Sequence, residues 1–362
     1  MAALRSFATI PYLPLLSLRP AEMRALQELP NKTKDRMLPV IGLRPWLAAN
    51  LLEKGLERLA EAYGPRPTIV SIDAAELTDK PRPVHAELAA LRQSAGGYGN
   101  WCSFITARPH FIPAIQISDA AQIGVQVSRF HELGRGLAIV VGSGALQGLQ
   151  PLAATVGQMT NGGLDTCFVL DLGKGSRDPL QLAVLVVGYC NTIRQHCPSA
   201  AIAISASSFP ADFTSINHQE IYERTLYRSV RDQLIGGTLI YSDRGSARYE
   251  RQTGGGGLPK PRIDYPLDGW WLFYRTETEG FAGYRNRAQA LIAATDANNN
   301  RFFDANLRVW GTQMIERTAG NDTTAIKTPA RSTAVRINLH LQRQTFFGDQ
   351  AGLYDTEDDW GG

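Results

Sequence analysis

The chain is predicted to be an α/β protein whose larger part is a (β/α)₈ barrel. Short apolar runs alternate with helical segments about eight times, at the spacing of repeated strand–helix units. The runs are apolar without strict alternation, which is typical of parallel strands covered by helices. The eight predicted strands are residues 12–18, 37–43, 68–72, 111–117, 136–141, 167–172, 201–206 and 238–241.

The helical segments between these runs carry recognisable helix signals. Pro20 stands where a helix begins, and residues 46–63 place four leucines on one face. Asp178 and Pro179 open a strongly apolar helix that runs to about residue 196. The rival architecture, an open doubly wound sheet, lacks the G-x-G-x-x-G turn after its first strand. We therefore expect a closed barrel over residues 8–250.

The sequence changes in character beyond the eighth run. Four consecutive glycines, residues 254–257, and three prolines predict a flexible linker over residues 251–268. Aromatic residues then form a predicted strand at 269–276, and residues 335–341 alternate apolar and polar side chains as a half-buried strand does. We expect residues 269–348 to be an α+β extension that packs on the barrel, and residues 349–362 to be an acidic tail.

The amino-acid composition limits the classes of function that the protein can have. The 362 residues carry 44% hydrophobic side chains and a formal net charge of +3, which neither requires nor excludes nucleic acid. No CxxC pair occurs among the four cysteines, which argues against a zinc site. Cys190 and Cys197 lie seven apart on one face of a predicted helix, which predicts two buried free thiols. There is no signal peptide pattern and no run of membrane-spanning length, so we expect a cytoplasmic protein without membrane contact.

Three aspartates follow predicted strands, where barrel enzymes collect their catalytic groups. Asp73, Asp171 and Asp243 follow the third, sixth and eighth strands. Together they could hold Mg²⁺ or Mn²⁺ for phosphodiester hydrolysis, or two could serve as acid and base in glycoside cleavage. The alternative is that each caps a helix or fixes a loop.

Further candidates would bind a ligand rather than react with it. Arg44 and Arg244 follow the second and eighth strands and could clamp a phosphate or carboxylate, or pair with the aspartates. Serines at the end of the seventh strand lack a neighbouring base, which favours polar lining or loop fixing. An aromatic patch could stack on a sugar or base, or seal the barrel. The predicted substrate-binding residues are Arg44, Ser207, Ser208, Arg244, Trp270 and Trp271.

Several short runs resemble the phage beta protein family. They are Tyr12-Leu13-Pro14-Leu15-Leu16, Pro20-Ala21-Glu22, Leu38-Pro39-Val40-Ile41, Ser207-Ser208-Phe209-Pro210 and Asn338-Leu339-His340-Leu341. Asp73 fits the family's carboxylate after the third strand, and Asp243 matches the aspartate of its Gly-Asp-Tyr segment. The resemblance implies a phage or prophage connection and carries no established reaction.

Two hypotheses follow, and the sequence alone does not separate them. The first is a non-catalytic recognition protein that acts in phage–host conflict, for example in antiviral defence, with a phage or host protein as its partner. The second is a metal-dependent or carboxylate-based hydrolase with its site at the barrel mouth. We favour the first because no complete catalytic set is present. Nucleic acid is a further possible partner, through basic residues around the glycine-rich stretch.

Overall fold

A computed structural model describes residues 3–75, 78–213, 216–249 and 259–356. These residues divide into two units. The first comprises Met1–Arg19, Met37–Ala206 and Tyr222–Arg244, and the second comprises Pro20–Arg36, Ser207–Ile221 and Gly245–Gly362, each so far as it is described. The chain therefore leaves the first unit three times, and each departure follows a strand of that unit.

Strands and helices alternate over most of the first unit, as the spacing of apolar runs predicts. The strands are β1 Leu15–Ser17, β2 Val40–Leu43, β3 Thr68–Ile72, β4 Phe111–Pro113, β5 Leu137–Gly142, β6 Thr166–Lys174, β7 Ala201–Ser207, β8 His218–Glu220, β9 Leu239–Tyr241, β10 Arg262–Pro266 and β11 Trp270–Arg275. The helices are α1 Pro20–Gln27, α2 Asn31–Arg36, α3 Glu53–Tyr63, α4 Pro83–Leu91, α5 Ala95–Thr106, α6 Ala120–Glu132, α7 Leu149–Met159, α8 Pro179–His196, α9 Tyr222–Gln233, α10 Gly280–Ala293, α11 Trp310–Ala319, α12 Pro329–Thr345 and α13 Gln350–Tyr354.

The strands of the first unit form two parallel sheets of four. One has the order β1-β2-β3-β4 and the other the order β5-β6-β7-β9. A mixed α/β fold with parallel strands is thereby confirmed, but the predicted closed barrel is not, because the eight strands do not form one continuous sheet. Single parallel bridges join Tyr12 to Tyr241 and Ala114 to Ala138. Pro113 ends β4 at the second of these seams, and proline has no amide to donate.

Strands of both sheets contribute to one apolar core. Val40, Ile69 and Ile112 from the first sheet lie in the same buried cluster as Val169 and Ala203 from the second. Because side chains alternate along a strand, residues two or four positions beyond these share their face. This face of the strands is called the core face below.

Two predicted elements differ from the structure. The helix expected over residues 46–63 begins only at Glu53, and Leu47, with a φ of +31°, lies outside the right-handed helical region. The strand expected over residues 335–341 lies inside α12. That helix is capped by Thr328, whose hydroxyl accepts a hydrogen bond from the amide of Arg331. It is buried on all sides, so its apolar residues do not follow a helical period.

The second unit combines a small sheet with helices. The strands β10, β11 and β8 pair antiparallel in that order. Tyr265 and Phe303 share a buried core with Trp310 of α11 and Leu339 of α12. The amide of Asn338 on α12 donates to the carbonyl of Ala25 on α1 at 3.1 Å, which ties the early segment to the C-terminal part of the chain.

Two predicted segments lie partly outside the described residues. Of the predicted linker over 251–268, residues 251–258, with the four glycines, are not described, and Arg262–Pro266 forms β10. Of the predicted acidic tail over 349–362, residues 357–362 are not described, and Gln350–Tyr354 forms α13. The predicted packing of residues 269–348 on the barrel concerns the placement of one unit relative to the other and stays a prediction. In the ranges that are described, no helix has the length and apolarity needed to cross a membrane.

Candidate functional site

Two arginine–aspartate pairs stand at the carboxyl ends of strands in the first unit. Arg44, just after β2, lies 3.7 Å from Oδ2 of Asp73, just after β3. Arg244, after β9, forms an ion pair with Oδ2 of Asp171 on β6. All four residues share the core face, since each lies four residues beyond a side chain of the apolar core. Arg44, Asp73 and Arg244 follow their strands as the sequence places them, whereas Asp171 lies within β6. The structure joins the four into two pairs.

Asp73 occupies space that a glycine leaves open. A methyl group on Gly42 would overlap Oδ1 of Asp73 and lie 2.7 Å from its Cγ, so the carboxylate rests directly on the β2 backbone. Oδ2 accepts a hydrogen bond from the Ser17 hydroxyl of β1 at 2.9 Å. The guanidinium of Arg92 donates to the Asp73 carbonyl at 2.5 Å, and burial lowers the pKa of Arg92 while Asp73 opposes that shift.

Asp171 is the more enclosed of the two carboxylates, with 9% of its side chain exposed against 23% for Asp73. The amide of Gly173 donates to Oδ1 at 3.3 Å, and Gly173 has a φ of +77°, so this position near the end of β6 favours glycine. The strand β7 lies between β6 and β9, so the ion pair with Arg244 spans it. On β7, the Ser205 hydroxyl is fully buried and has no hydrogen-bond partner among the described residues.

Asp243 does not join the other two aspartates. It lies three residues beyond Ile240 of the apolar core, so its side chain points to the opposite face of the chain. There its carboxylate accepts hydrogen bonds from the hydroxyls of Tyr12 at 2.5 Å and Tyr241 at 2.9 Å. The Arg224 guanidinium lies 3.3 Å from the centre of the Tyr241 ring. The expected cavity with three shared carboxylates is therefore absent from the described part of the first unit.

The group around Asp243 is closed to solvent. Burial, and then the charge of Asp243, raise the pKa values of Tyr12 and Tyr241 well above their usual range. Burial likewise lowers the pKa of Arg224. Tyr12 stacks on Tyr241 with ring centres 5.6 Å apart. These contacts hold β9 against the segment before β1. Because side chains alternate in direction along residues 240–244, the sequence itself indicates that Asp243 and Arg244 lie on opposite faces.

No metal site replaces the missing carboxylate trio. Across the described ranges there is no group of three or more histidine, cysteine, aspartate or glutamate residues placed to hold a metal ion. Each carboxylate of the two pairs already faces a guanidinium, which supplies the positive charge that a divalent cation would bring. The arrangement can hydrogen-bond a ligand through donors and acceptors side by side.

The remaining predicted ligand-binding residues lie in the second unit. The Ser207 hydroxyl donates to the Ala247 carbonyl at 2.7 Å, and the Ser208 hydroxyl donates to the Glu220 carbonyl at 3.2 Å. Both serines therefore fix loops. Trp271 is fully buried, whereas Trp270 is 45% exposed and lies against the His218 ring at 5.6 Å between centres. Of the two tryptophans, Trp270 is thus the side chain that a ligand could reach.

The cysteines are not nucleophiles. All four are buried free thiols, which the sequence predicts for Cys190 and Cys197. Burial raises the pKa of Cys190 to about 12 and that of Cys197 to about 11. Because the thiolate is the reactive form, these side chains are inert at neutral pH.

Comparison with known proteins settles the family. The sequence profile of the Beta protein family matches residues 12–346. The chain belongs to the Beta protein family. It is also similar to the protein named Protein beta of Enterobacteria phage P4, at 28% identity over 364 residues that cover 98% of each chain. The resemblance of the short sequence runs to this family is thereby confirmed. The matched residues belong to both units of this Beta family chain, so the match is not confined to the parallel sheets.

Proposed function

We propose that this Beta family protein is a non-catalytic recognition protein that acts in phage–host conflict, as part of antiviral defence or of its evasion. The single observation that carries the proposal is the pairing of Arg44 with Asp73 and of Arg244 with Asp171. Paired charges at strand ends offer hydrogen-bond donors beside acceptors, which suits the binding of a polar surface or ligand. The phage origin of the similar Protein beta supports the biological setting.

The same observation counts against a hydrolase. A metal-dependent hydrolase needs carboxylates gathered around a cation, and a glycosidase needs two carboxyl groups facing one bond. Here Asp73 and Asp171 are each matched by an arginine, and Asp243 lies on the other face among tyrosines. A serine nucleophile needs a neighbouring base, and Ser207 and Ser208 donate to backbone carbonyls instead.

We further propose that the two parallel sheets close into one (β/α)₈ barrel. Support comes from amide hydrogen bonds at both seams: Leu13 donates to the Tyr241 carbonyl at 3.0 Å, and Ile115 donates to the Ala138 carbonyl at 3.0 Å. In a closed barrel both amides would exchange slowly with solvent deuterium, like those inside β5 and β6. Exchange as fast as in surface loops would show open sheet edges and contradict closure.

The partner in this proposal is a phage or host protein, bound in the cytoplasm. Four buried free thiols are consistent with a reducing compartment. Nucleic acid remains the alternative partner and would be detected by the same experiment.

The test is affinity capture from phage-infected cells, with bound proteins, nucleic acids and metabolites identified by mass spectrometry. The variants Arg44→Gln and Arg244→Gln should reduce capture of the partner about tenfold or more, the effect expected from losing one well-placed charged contact. Arg58→Gln is the matched control, because Arg58 makes an exposed ion pair with Glu61 on α3 at 2.6 Å. Equal capture by all three variants would refute the assignment of this site.

A further inference from the structure

A groove in the first unit is lined by side chains of α3, α4 and α5 and of the residues just before α3. Its volume of about 450 Å³ lies within the range of roughly 300–1,000 Å³ that is typical of small-molecule sites. Its apolar lining includes three buried leucines, which are Leu52 just before α3, Leu56 on α3 and Leu91 at the end of α4. Leu51 also lines the groove and is 52% exposed, so solvent reaches the groove there. An apolar body of ligand size can therefore lie against this surface.

An aromatic ring adds to the apolar lining. Phe104 of α5 stacks on Trp101, with ring centres 5.4 Å apart, and the Arg108 guanidinium lies 4.0 Å from the centre of the Phe104 ring. Nη1 of Arg108 donates to the Phe104 carbonyl at 3.1 Å, and its Nη2 donates to Oε2 of Glu53 at 3.0 Å. Among the described side chains of the lining, Arg108 is the one cation, and both of its terminal nitrogens already donate within the protein.

Two other polar side chains of the lining present acceptors. Oε2 of Glu87 accepts a hydrogen bond from the amide of Leu52 at 2.9 Å, and its Oε1 has no hydrogen-bond partner among the described residues. Nδ2 of Asn100 donates to the Ala90 carbonyl at 3.0 Å and to Oε1 of Gln93 at 3.3 Å. These two bonds use both hydrogens of the amide and leave its Oδ1 as an acceptor. A ligand that donates hydrogen bonds therefore suits the groove.

The charges along the groove favour a cationic ligand. Its described lining carries two carboxylates, Glu53 and Glu87, and the guanidinium of Arg108. Arg108 is paired with Glu53, so Glu87 is the charge that no described side chain of the lining neutralises. An anionic ligand would be repelled by the carboxylates, whereas an ammonium group would pair with Glu87 and can donate up to three hydrogen bonds. The apolar surroundings strengthen such a pair relative to one in open water.

We propose that this groove binds a small primary amine carried on a compact apolar body. The ammonium group pairs with Glu87, and the apolar body lies against Leu56, Leu91 and Phe104. The volume suits a free small molecule whose apolar surface is removed from water on binding. The site lies among the helices of the first unit and does not depend on the two arginine–aspartate pairs at the strand ends.

The experiment is isothermal titration calorimetry of the full chain with phenethylamine, at constant pH and ionic strength. Phenethyl alcohol and phenylacetate are the matched probes, because they carry the same ring with a neutral and an anionic group. The amine should bind saturably. The alcohol and the acid should bind about tenfold or more weakly, the factor expected when one charge-assisted hydrogen bond is lost.

Three variants locate the binding. Glu87→Gln should weaken amine binding about tenfold and narrow the difference between amine and alcohol, while glutamine can still accept from the Leu52 amide. Ala90→Phe should abolish binding of both probes, because Ala90 lines the groove and a larger side chain fills it. Glu61→Gln is the matched control and should bind like the wild type, because Glu61 makes an exposed ion pair with Arg58 on α3. Circular dichroism verifies that each variant is folded.

The proposal is overturned if the wild type shows no saturable binding of phenethylamine, or if the alcohol or the acid binds as tightly as the amine. It is also overturned if folded Glu87→Gln binds the amine as tightly as Glu61→Gln does. Unchanged binding by Ala90→Phe would place the amine outside the groove and contradict the assignment. If Glu87→Gln does not fold, the three probes on the wild type and the Ala90→Phe variant decide the question.

Discussion

Replacing Gly42 with alanine would displace Asp73 without removing any charged group. The new methyl group would overlap the Asp73 carboxylate, which therefore must turn away from the β2 backbone. Turning breaks the hydrogen bond from Ser17 at 2.9 Å and the ion pair with Arg44 at 3.7 Å. Because Asp73 is partly exposed, its side chain can rotate toward water, and the strand itself need not move.

The stability change follows from these contacts. Loss of a hydrogen bond to a charged group costs about 1.5–3 kcal/mol, and a partly exposed ion pair contributes under about 1 kcal/mol. Alanine in place of glycine inside a strand returns about 0.5–1 kcal/mol through lower chain entropy in the unfolded state. The net expectation for Gly42→Ala is a loss of about 1–3 kcal/mol in the free energy of unfolding.

Gly142→Ala is the matched control. Gly142 also ends a core strand and is paired in register with Asp171, but a methyl group there would meet nothing within 4 Å. Its φ of −71° is open to any residue, so this variant should be as stable as the wild type or slightly more so. Urea denaturation of both variants measures the difference. Equal stability of Gly42→Ala and Gly142→Ala would refute the inference that the Asp73 carboxylate lies directly against the β2 backbone at Gly42.

Four further predictions concern a buried ion pair, a buried tyrosine hydroxyl and the thiols. Asp264→Asn should lower the free energy of unfolding by about 3–5 kcal/mol, as measured by urea denaturation, because it leaves Arg336 buried beside a neutral amide. Adding Arg336→Met should recover part of this loss, and no recovery would argue against the ion pair as its cause. Tyr12→Phe removes the 2.5 Å donor to Asp243 and should cost about 1–3 kcal/mol, whereas an unchanged denaturation midpoint would contradict that bond. A disulfide thiol reagent at pH 8 should modify no cysteine before unfolding, and a fast native reaction would disprove their burial. Folding raises the pKa values of the thiols, so the protonated thiols contribute fully to the free energy of unfolding below about pH 9. That contribution is lost as the pH rises toward about 11, and the denaturation midpoint should therefore fall over that interval. The thiols concerned are Cys102, Cys167, Cys190 and Cys197.

The parallel strands could be predicted because their signal is local. A buried parallel strand is an apolar run of a few residues, and a strand–helix unit recurs at a nearly constant interval, so Thr68–Ile72 and Ala201–Ser207 are visible without tertiary information. Strand ends then follow, and with them Arg44, Asp73, Asp171 and Arg244. The buried state of Cys190 and Cys197 could be predicted from their spacing along one face of a helix.

The structure of the second unit could not be predicted from the sequence in the same way. Its core joins the early helices, the segment after β7 and the C-terminal part, and no local pattern reports contacts between segments more than 300 residues apart, such as Asn338 with Ala25. The alternation of apolar and polar residues at 335–341 predicted a strand, but a helix buried on every side is free of the period that normally distinguishes it.

The sequence by itself thus determined the α/β class, the strand ends and the residue types that stand there. The tertiary structure decided the pairing of charges and the face on which each one lies. Asp243 shows the physical reason: one position along a strand reverses the direction of a side chain, so a carboxylate one residue from Arg244 lies among tyrosines instead of beside Asp171. Which charged side chains pair with each other depends on their distance in space, and the paired side chains come from strands that lie far apart in the chain.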